Sequence, residues 1–175
     1  MAPPSFTDPA EEALGRQLLG TGWVKLPAED PDALGRIRSA AATLAAEHLG
    51  VDAPAGGDVG PWLDDLASRC DPADLNPLRL HVFHGLNARD WLRPAVFHLA
   101  RRALHALVGN ELAMQRRVNL SIQMPGDAGS LLPLHADSWS GDSPYEIVLW
   151  IPLVDARATK SLFVLPRPEH DRLLA

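Results

Sequence analysis

A histidine and an aspartate two positions apart, His135 and Asp137, stand between apolar runs in "SLLPLHADSWSGDSPYEIVLW". Side chains two positions apart in a β-strand project from the same face, so this pair would share one side of a strand. An imidazole nitrogen and a carboxylate oxygen placed in this way can bind one metal ion, and a second histidine would complete the facial triad of non-haem Fe(II). The tripeptide alone is a weak pattern, and the alternative is a surface aspartate beside a partly buried histidine.

Other residue types suited to chemistry give weaker candidates. Two further histidine pairs have helical spacing, His81 with His84 and His98 with His105. The first pair has no carboxylate at ligand spacing, so a structural or exposed role is favoured. The second shares a polar helix face with Arg101 and Arg102, where solvation is the ordinary outcome and a substrate phosphate is the alternative. Cys70 has no histidine partner in a nucleophile motif and is predicted to be inert.

The first 110 residues are predicted to be mainly helical. Helices are expected over residues 8–19, 32–49 and 90–108, with a short one near 62–69 and one early strand at 22–27. Asp8 is a suitable N-cap and Pro9 a suitable first helical residue. Gly-rich residues 50–61 and the passage "DPADLNP" are expected to form a loop and a turn.

From residue 111 onward the apolar residues recur with the period of a strand. Val118, Leu120, Ile122 and Met124 alternate with polar residues, and the stretches "SLLPLHAD", "YEIVLWIPLV" and "SLFVLP" follow. This order of helices followed by strands predicts an α+β fold in which helices buttress a sheet or partial barrel. The number of strands, about four plus the early one, is small for a closed barrel of about eight.

Three stretches of the second half, "NLSIQMPGD", "LLPLHADSWSGDSPYEIVLWIPLVDA" and "TKSLFVLPRPEH", are similar to a known family. The segment 116–170 resembles the phytanoyl-CoA dioxygenase-like branch of the Fe(II)/2-oxoglutarate oxygenases. Within that branch it looks most like the group encoded in sporadically distributed bacterial carbohydrate-biosynthesis clusters. The resemblance implies one domain over residues 1–175, with helical support over 1–110 and the first part of a double-stranded β-helix (jelly-roll, cupin-like) barrel over 111–175.

The resemblance implies that His135 and Asp137 are the first two iron ligands. The third ligand is not identified, because His170 falls in "LPRPEH", at a turn whose histidine is not a ligand in the family. Arg172 follows too closely to match the arginine that binds the far carboxylate of 2-oxoglutarate. The chain therefore looks truncated before the distal histidine of the family.

Four more residues are assigned to the site. Trp150 matches a tryptophan of the 2-oxoglutarate pocket, with an ordinary core aromatic as the alternative. Gln123 lies on the polar face of the preceding strand and is expected to contact cosubstrate or substrate, since buried polar groups need partners, with a solvent-exposed face as the alternative. Ser138 and Trp139 follow the motif directly and are expected to border the substrate entrance.

The function implied by the resemblance is that of a dioxygenase that uses Fe(II), 2-oxoglutarate and dioxygen. It would hydroxylate a small molecule such as a saccharide or a sugar-containing intermediate, and an aspartate at position 137 favours hydroxylation. The alternative is a truncated or degenerate scaffold that acts as a non-catalytic metal- or ligand-binding module.

Composition restricts the partners and the compartment. The formal charge of −6 argues against nucleic acid and anionic membranes as the main partners,. A single cysteine suits a reducing compartment, and neither a leader peptide nor a membrane-spanning run is evident, so the cytoplasm is expected,. The oligomeric state is left open.

Overall fold

A computed structural model of the chain describes residues 8–143 and 145–174. The described residues form seven α-helices and four short 3₁₀ turns. The helices are α1 (Pro9–Thr21), α2 (Pro31–Leu49), α3 (Gly60–Asp64), α4 (Leu75–Asn87), α5 (Leu92–His98), α6 (Arg101–Val108) and α7 (Arg167–Leu174). The 3₁₀ turns are Leu66–Ser68, Pro72–Asp74, Ala128–Ser130 and Asp137–Ser140. None of the described helices is both long enough and apolar enough to cross a bilayer.

The first two helices begin and end where capping signals in the sequence predict. The Asp8 carboxylate accepts from the N–H of Glu11 at 2.8 Å, and the Glu11 carboxylate accepts from the N–H of Asp8 at 3.2 Å. This capping box satisfies backbone donors that the first turn leaves free. Gly22 ends α1 at φ 82° and Gly50 ends α2 at φ 64°, the left-handed conformation that glycine adopts most readily,. The helix predictions for residues 8–19 and 32–49 are thus confirmed.

The long helix predicted over residues 90–108 is wrong as one element, because two helices occupy the range. The chain leaves helical geometry at Ala100, where φ is −145° and ψ is 29°. The carboxylate of Glu29, far away in sequence, accepts from the backbone N–H groups of Arg102 at 3.0 and 3.1 Å and of Ala103 at 3.2 Å. An acceptor at this position caps a new helix start, so a contact distant in sequence divides the helix.

The hydrophobic core lies between α2, α4 and α5. Its most buried large side chains are Leu78, Val82 and Leu92. Helix α4 comes very close to α2 at Gly85, where an added Cβ would lie 2.4 Å from Leu44 Cδ2. Other buried members of the cluster are Ile37, Ala41, Ala45, Leu66, Leu86, Ala95, Val96 and Leu99. The core is therefore built by helices packing against helices.

The predicted α+β fold with a double-stranded β-helix barrel is contradicted by this mostly helical structure. The described residues contain no strand or sheet, and the single isolated bridge joins Arg157 and Lys160. Within the described residues, the range 22–27 and the predicted strand stretches between residues 111 and 166 are extended coil, bends and turns, with short 3₁₀ turns. Residues 111–175 therefore do not form the first part of a barrel within the described portion.

The alternating segment 118–124 nevertheless has the two faces that its sequence predicts. Val118, Leu120, Ile122 and Met124 are half-buried against the helical core, whereas the polar residues between them are exposed. Side chains from α4 bind its backbone. Arg79 Nε donates to the carbonyl of Ile122 at 2.7 Å, and the Asn87 amide bonds to both backbone polar groups of Val118. Helices thus cover the apolar face of this segment, as the buttressing arrangement predicts, although the segment itself does not pair into a sheet in the described residues.

Downstream of residue 130 the apolar side chains are mostly uncovered. Leu132 is 74% exposed, Phe163 is 79% exposed and Tyr145 is 90% exposed. Large apolar side chains stabilise a fold when their surface is removed from water. This part of the chain therefore contributes little to the core in the structure described.

Candidate functional site

The structure brings His135 and Asp137 together. The His135 Nε2 atom lies 3.6 Å from Asp137 Oδ1, and each side chain is 47% exposed. Ala136, between them, has an extended backbone (φ −125°, ψ 138°), which places the two side chains on one side although no strand forms,. Proximity of the predicted pair is therefore a local property of the extended residue between them.

A backbone contact sets the orientation of the imidazole. His135 Nδ1 lies 2.8 Å from the carbonyl oxygen of Pro133, which can only accept, so Nδ1 is assigned as the donor,. In the neutral ring this leaves the Nε2 lone pair directed toward Asp137. A hydrogen bond at one ring nitrogen that frees the other is the usual arrangement of a metal-binding histidine.

The separation of the two ligand atoms suits a transition-metal ion. For bonds of about 2.1 Å to both atoms, a 3.6 Å separation corresponds to a ligand–metal–ligand angle of roughly 120°,. Shortening the distance between the two atoms by roughly 0.2 Å would give a tetrahedral angle, and by roughly 0.6 Å an octahedral angle. Both side chains are exposed enough to move that far. The donor pair of one imidazole and one carboxylate therefore fits Fe(II) as two of its ligands.

His170 does not complete a triad in the described structure. It lies on α7, where its ring stacks on Trp139 with the centroids 6.4 Å apart and the planes inclined by 20°. Its Nδ1 atom is 3.4 Å from Asp171 Oδ1. The described residues contain no group of three or more His, Cys, Asp or Glu side chains arranged to hold a metal ion. The protein ligands available from them are thus His135 and Asp137.

An open cavity of about 210 Å³ adjoins the pair. Its lining consists of Asp137, Ser138, Ser143, Glu146 and Val148. Two carboxylates and two hydroxyl groups make this cavity polar and acidic. Of the two residues predicted to border the substrate entrance, Ser138 lines the cavity and Trp139 stacks on His170.

The two predicted 2-oxoglutarate contacts lie in open surroundings. Gln123 is exposed, and its side-chain amide donates to the carbonyl of Ser130 at 3.1 Å. The argument from buried polar groups therefore does not apply to it. Trp150 is 47% exposed and is not a buried core aromatic. Their roles at the cosubstrate stay predictions.

A cluster that sequence reasoning missed anchors the segment leading to His135. The Arg79 guanidinium on α4 pairs with Asp127 and donates to Ser130 Oγ at 2.7 Å. Ser130 also hydrogen-bonds Asp127, and this bond, followed by that from Arg79, lowers the pKa of the Asp127 carboxyl. The cluster ties the turn at residues 122–130 to α4. The single arginine in the mostly apolar stretch "LNPLRLHVFHGL" was the available signal.

Two of the remaining sequence candidates pair with carboxylates, whereas the buried Nδ1 atom of His105 has no hydrogen-bond partner among the described residues. His81 lies 3.8 Å from Glu47 and Arg102 lies 3.6 Å from Glu29. Burial, followed by the charges of nearby acidic residues, raises the pKa of the Cys70 thiol. A raised pKa reduces the thiolate fraction, in agreement with the prediction that Cys70 is inert.

Comparison of the chain with protein-family models, with curated protein sequences and with solved structures gave no match. The case for a function accordingly depends on the geometry of the His135–Asp137 pair and on the motif resemblance.

Proposed function

We propose that the chain binds Fe(II) through His135 and Asp137 and acts as a 2-oxoglutarate-dependent dioxygenase on a small molecule such as a saccharide. The observation that carries the proposal is the 3.6 Å separation of His135 Nε2 and Asp137 Oδ1, with Nδ1 bonded to Pro133. The proposal does not involve a barrel. The single cysteine favours a reducing compartment such as the cytoplasm,.

Each residue of the site has a separate task in this proposal. His135 offers its Nε2 atom, because Nδ1 is bonded to the carbonyl of Pro133, and Asp137 offers a carboxylate oxygen. Bound Fe(II) with 2-oxoglutarate would supply the dioxygen chemistry, while the protein positions the reactants. Ser138 and Ser143 offer hydroxyl groups to an uncharged polar substrate in the adjoining cavity.

A second candidate function is a non-catalytic metal-binding module. The observation that favours it is that the described residues supply two ligands, both half-exposed, to the candidate metal position. Two protein ligands leave most coordination positions of a transition metal to water or to small-molecule ligands. Binding without turnover would then be the whole activity.

Metal titration tests metal binding by His135 and Asp137, which both candidate functions require. Co(II), which is less prone to oxidation than Fe(II), is titrated calorimetrically into the wild-type chain and into His135→Ala and Asp137→Asn. Matched controls are His84→Ala, an exposed histidine on α4, and Asp155→Asn, an exposed aspartate. We expect binding to be lost in the first two variants and kept in the controls. Equal affinity in all five proteins would contradict the site.

Turnover separates the two candidates. Succinate is measured after incubation with Fe(II), 2-oxoglutarate, dioxygen and a panel of saccharides, using wild type and Asp137→Asn. Saccharide-stimulated succinate release that requires Asp137 supports the dioxygenase. Metal binding without succinate release leaves the binding module as the function.

A further inference from the structure

A second cavity, of about 670 Å³, shares no lining residue with the cavity beside Asp137. It is lined by Asn87 at the end of α4 and by Gln115, Arg116 and Arg117 from the following coil. Its volume lies within the range of about 300–1,000 Å³ that is common for small-molecule sites. The lining is polar throughout and carries two positive charges.

The backbone conformation explains why two consecutive arginines line one cavity. Neighbouring side chains of an extended chain point to opposite sides, as they do from Val118 onward. Residues 116 and 117 form a bend instead. Among the described residues neither guanidinium has an ion-pair or hydrogen-bond partner, although the chain contains 22 acidic and 16 basic residues. Two cations are thus left free to bind an anion.

The coil that presents these arginines is held on both sides by helix side chains. Arg93 on α5 donates to the carbonyls of Met114 at 3.0 Å and Gln115 at 3.1 Å. The Asn87 amide donates to the carbonyl of Val118 at 3.0 Å and accepts from its N–H at 2.8 Å. A backbone fixed before ligand arrives reduces the ordering cost of binding.

The surrounding charge adds to the attraction for anions. Arg93 binds uncharged carbonyls in these contacts, so its positive charge is not neutralised by them. This charge on a supporting helix strengthens the positive field near the cavity.

We propose that the cavity lined by Asn87, Gln115, Arg116 and Arg117 binds a small polar phosphate monoester. A phosphate monoester carries about −1.5 to −2 charges at neutral pH and three acceptor oxygens, which matches two guanidinium groups. A monocarboxylate carries half that charge. The four lining residues include no aromatic side chain, so the site offers the phosphate strong contacts and a nucleobase no stacking surface,.

Calorimetric titration with glycerol 3-phosphate tests the proposal, with inorganic phosphate, glycerol and succinate as comparison ligands. Wild type is expected to bind glycerol 3-phosphate more tightly than succinate and not to bind glycerol. Arg116→Ala and Arg117→Ala are each expected to weaken binding on the order of tenfold or more, since each removes charge-assisted hydrogen bonds. Arg101→Ala removes an exposed arginine on α6 as a matched control and is expected to leave affinity within about twofold,.

Arg116→Lys keeps the charge but loses the planar fork, so an affinity between wild type and Arg116→Ala is expected. Circular dichroism establishes that each variant is folded, which we expect because the substituted side chains are exposed. The proposal is overturned if glycerol 3-phosphate does not bind, or if succinate or inorganic phosphate binds more tightly. It is equally overturned if Arg101→Ala weakens binding as much as the substitutions at 116 and 117.

Discussion

The close approach of α4 to α2 at Gly85 predicts that one substitution, glycine to alanine, has opposite effects at two positions. Gly85 on α4 faces Leu44 on α2, and an added Cβ would lie 2.4 Å from Leu44 Cδ2 and 2.9 Å from Cδ1. Nonbonded carbon atoms prefer a separation of about 3.5–4.0 Å, so the overlap exceeds about 0.5 Å at both atoms. Leu44 is 6% exposed and has little room to move away.

The magnitude follows from two opposing terms. Alanine in a helix interior is more favourable than glycine by roughly 0.5–1 kcal/mol. Overpacking a well-filled core costs about 1–3 kcal/mol. We therefore expect Gly85→Ala to lower the free energy of unfolding by about 1–2 kcal/mol. At Gly35 on α2 an added Cβ meets nothing within 4 Å, so Gly35→Ala should raise it by roughly 0.5–1 kcal/mol,.

Urea unfolding followed by circular dichroism at 222 nm, the usual helix signal, measures both variants against wild type. The midpoints should move in opposite directions with an unchanged slope. In a double-mutant cycle, Leu44→Ala should be less costly in the Gly85→Ala background, because the smaller side chain removes the overlap. Stabilisation by Gly85→Ala equal to that by Gly35→Ala would show that α2 and α4 are farther apart than described.

Four further substitutions test other parts of the structure. The pKa of Asp127 is lowered, so its stabilising effect is present above the ordinary carboxyl pKa and is lost as pH falls through the lowered value,. Arg79→Met should therefore reduce stability at pH 7 and weaken the dependence of stability on acid pH. Urea midpoints measured at successive pH values test both effects. Glu29→Ala should cost about 0.5–2 kcal/mol in urea unfolding by removing the cap of α6,. Phe163→Ser should change stability by less than about 0.5 kcal/mol and lower the fluorescence of an apolar dye, whereas Leu78→Ala should cost about 2–5 kcal/mol,.

The helical half could be predicted from sequence where the signals are local. Asp8 and Gly22 define α1 through contacts within a few residues, and the ends of α2 follow the same logic. Helix α4 was not predicted because turn signals in "DPADLNP" obscured its apolar spacing. The break between α5 and α6 depends on Glu29, about seventy residues away in sequence, and local pattern contains no information on such a contact,.

The second half shows what a period-two pattern does and does not determine. Alternation correctly predicted that Val118, Leu120, Ile122 and Met124 face the core. It does not specify whether helices or a second sheet cover that face. Here Arg79 and Asn87 bind the backbone of this segment, so hydrogen bonds to side chains replace part of a strand ladder. The barrel expectation failed because the extended segments of the second half do not pair into strands in the described residues.

The candidate metal pair could be predicted from the sequence, whereas the contacts that anchor the segment before it could not. The proximity of His135 and Asp137 could be predicted because it needs only an extended residue between them, and the Pro133 carbonyl that orients the ring is also local. By contrast, Arg79 contacts Asp127 and Ser130, which lie 48 and 51 positions later in the sequence. A local sequence pattern contains no information on contacts over such separations.

The local encoding of the candidate metal pair has a physical consequence for the affinity expected of it. The bite between His135 Nε2 and Asp137 Oδ1 is set by bonds within a few residues, so it does not require a sheet ladder to hold it. Both side chains are half-exposed, however, and an exposed pair binds a metal in competition with water and with its own rotamer freedom,. Affinity beyond that of a two-ligand chelate must then come from additional ligands. A bidentate small molecule such as 2-oxoglutarate would supply two, which is why Co(II) affinity measured with and without 2-oxoglutarate reports directly on how the site is completed.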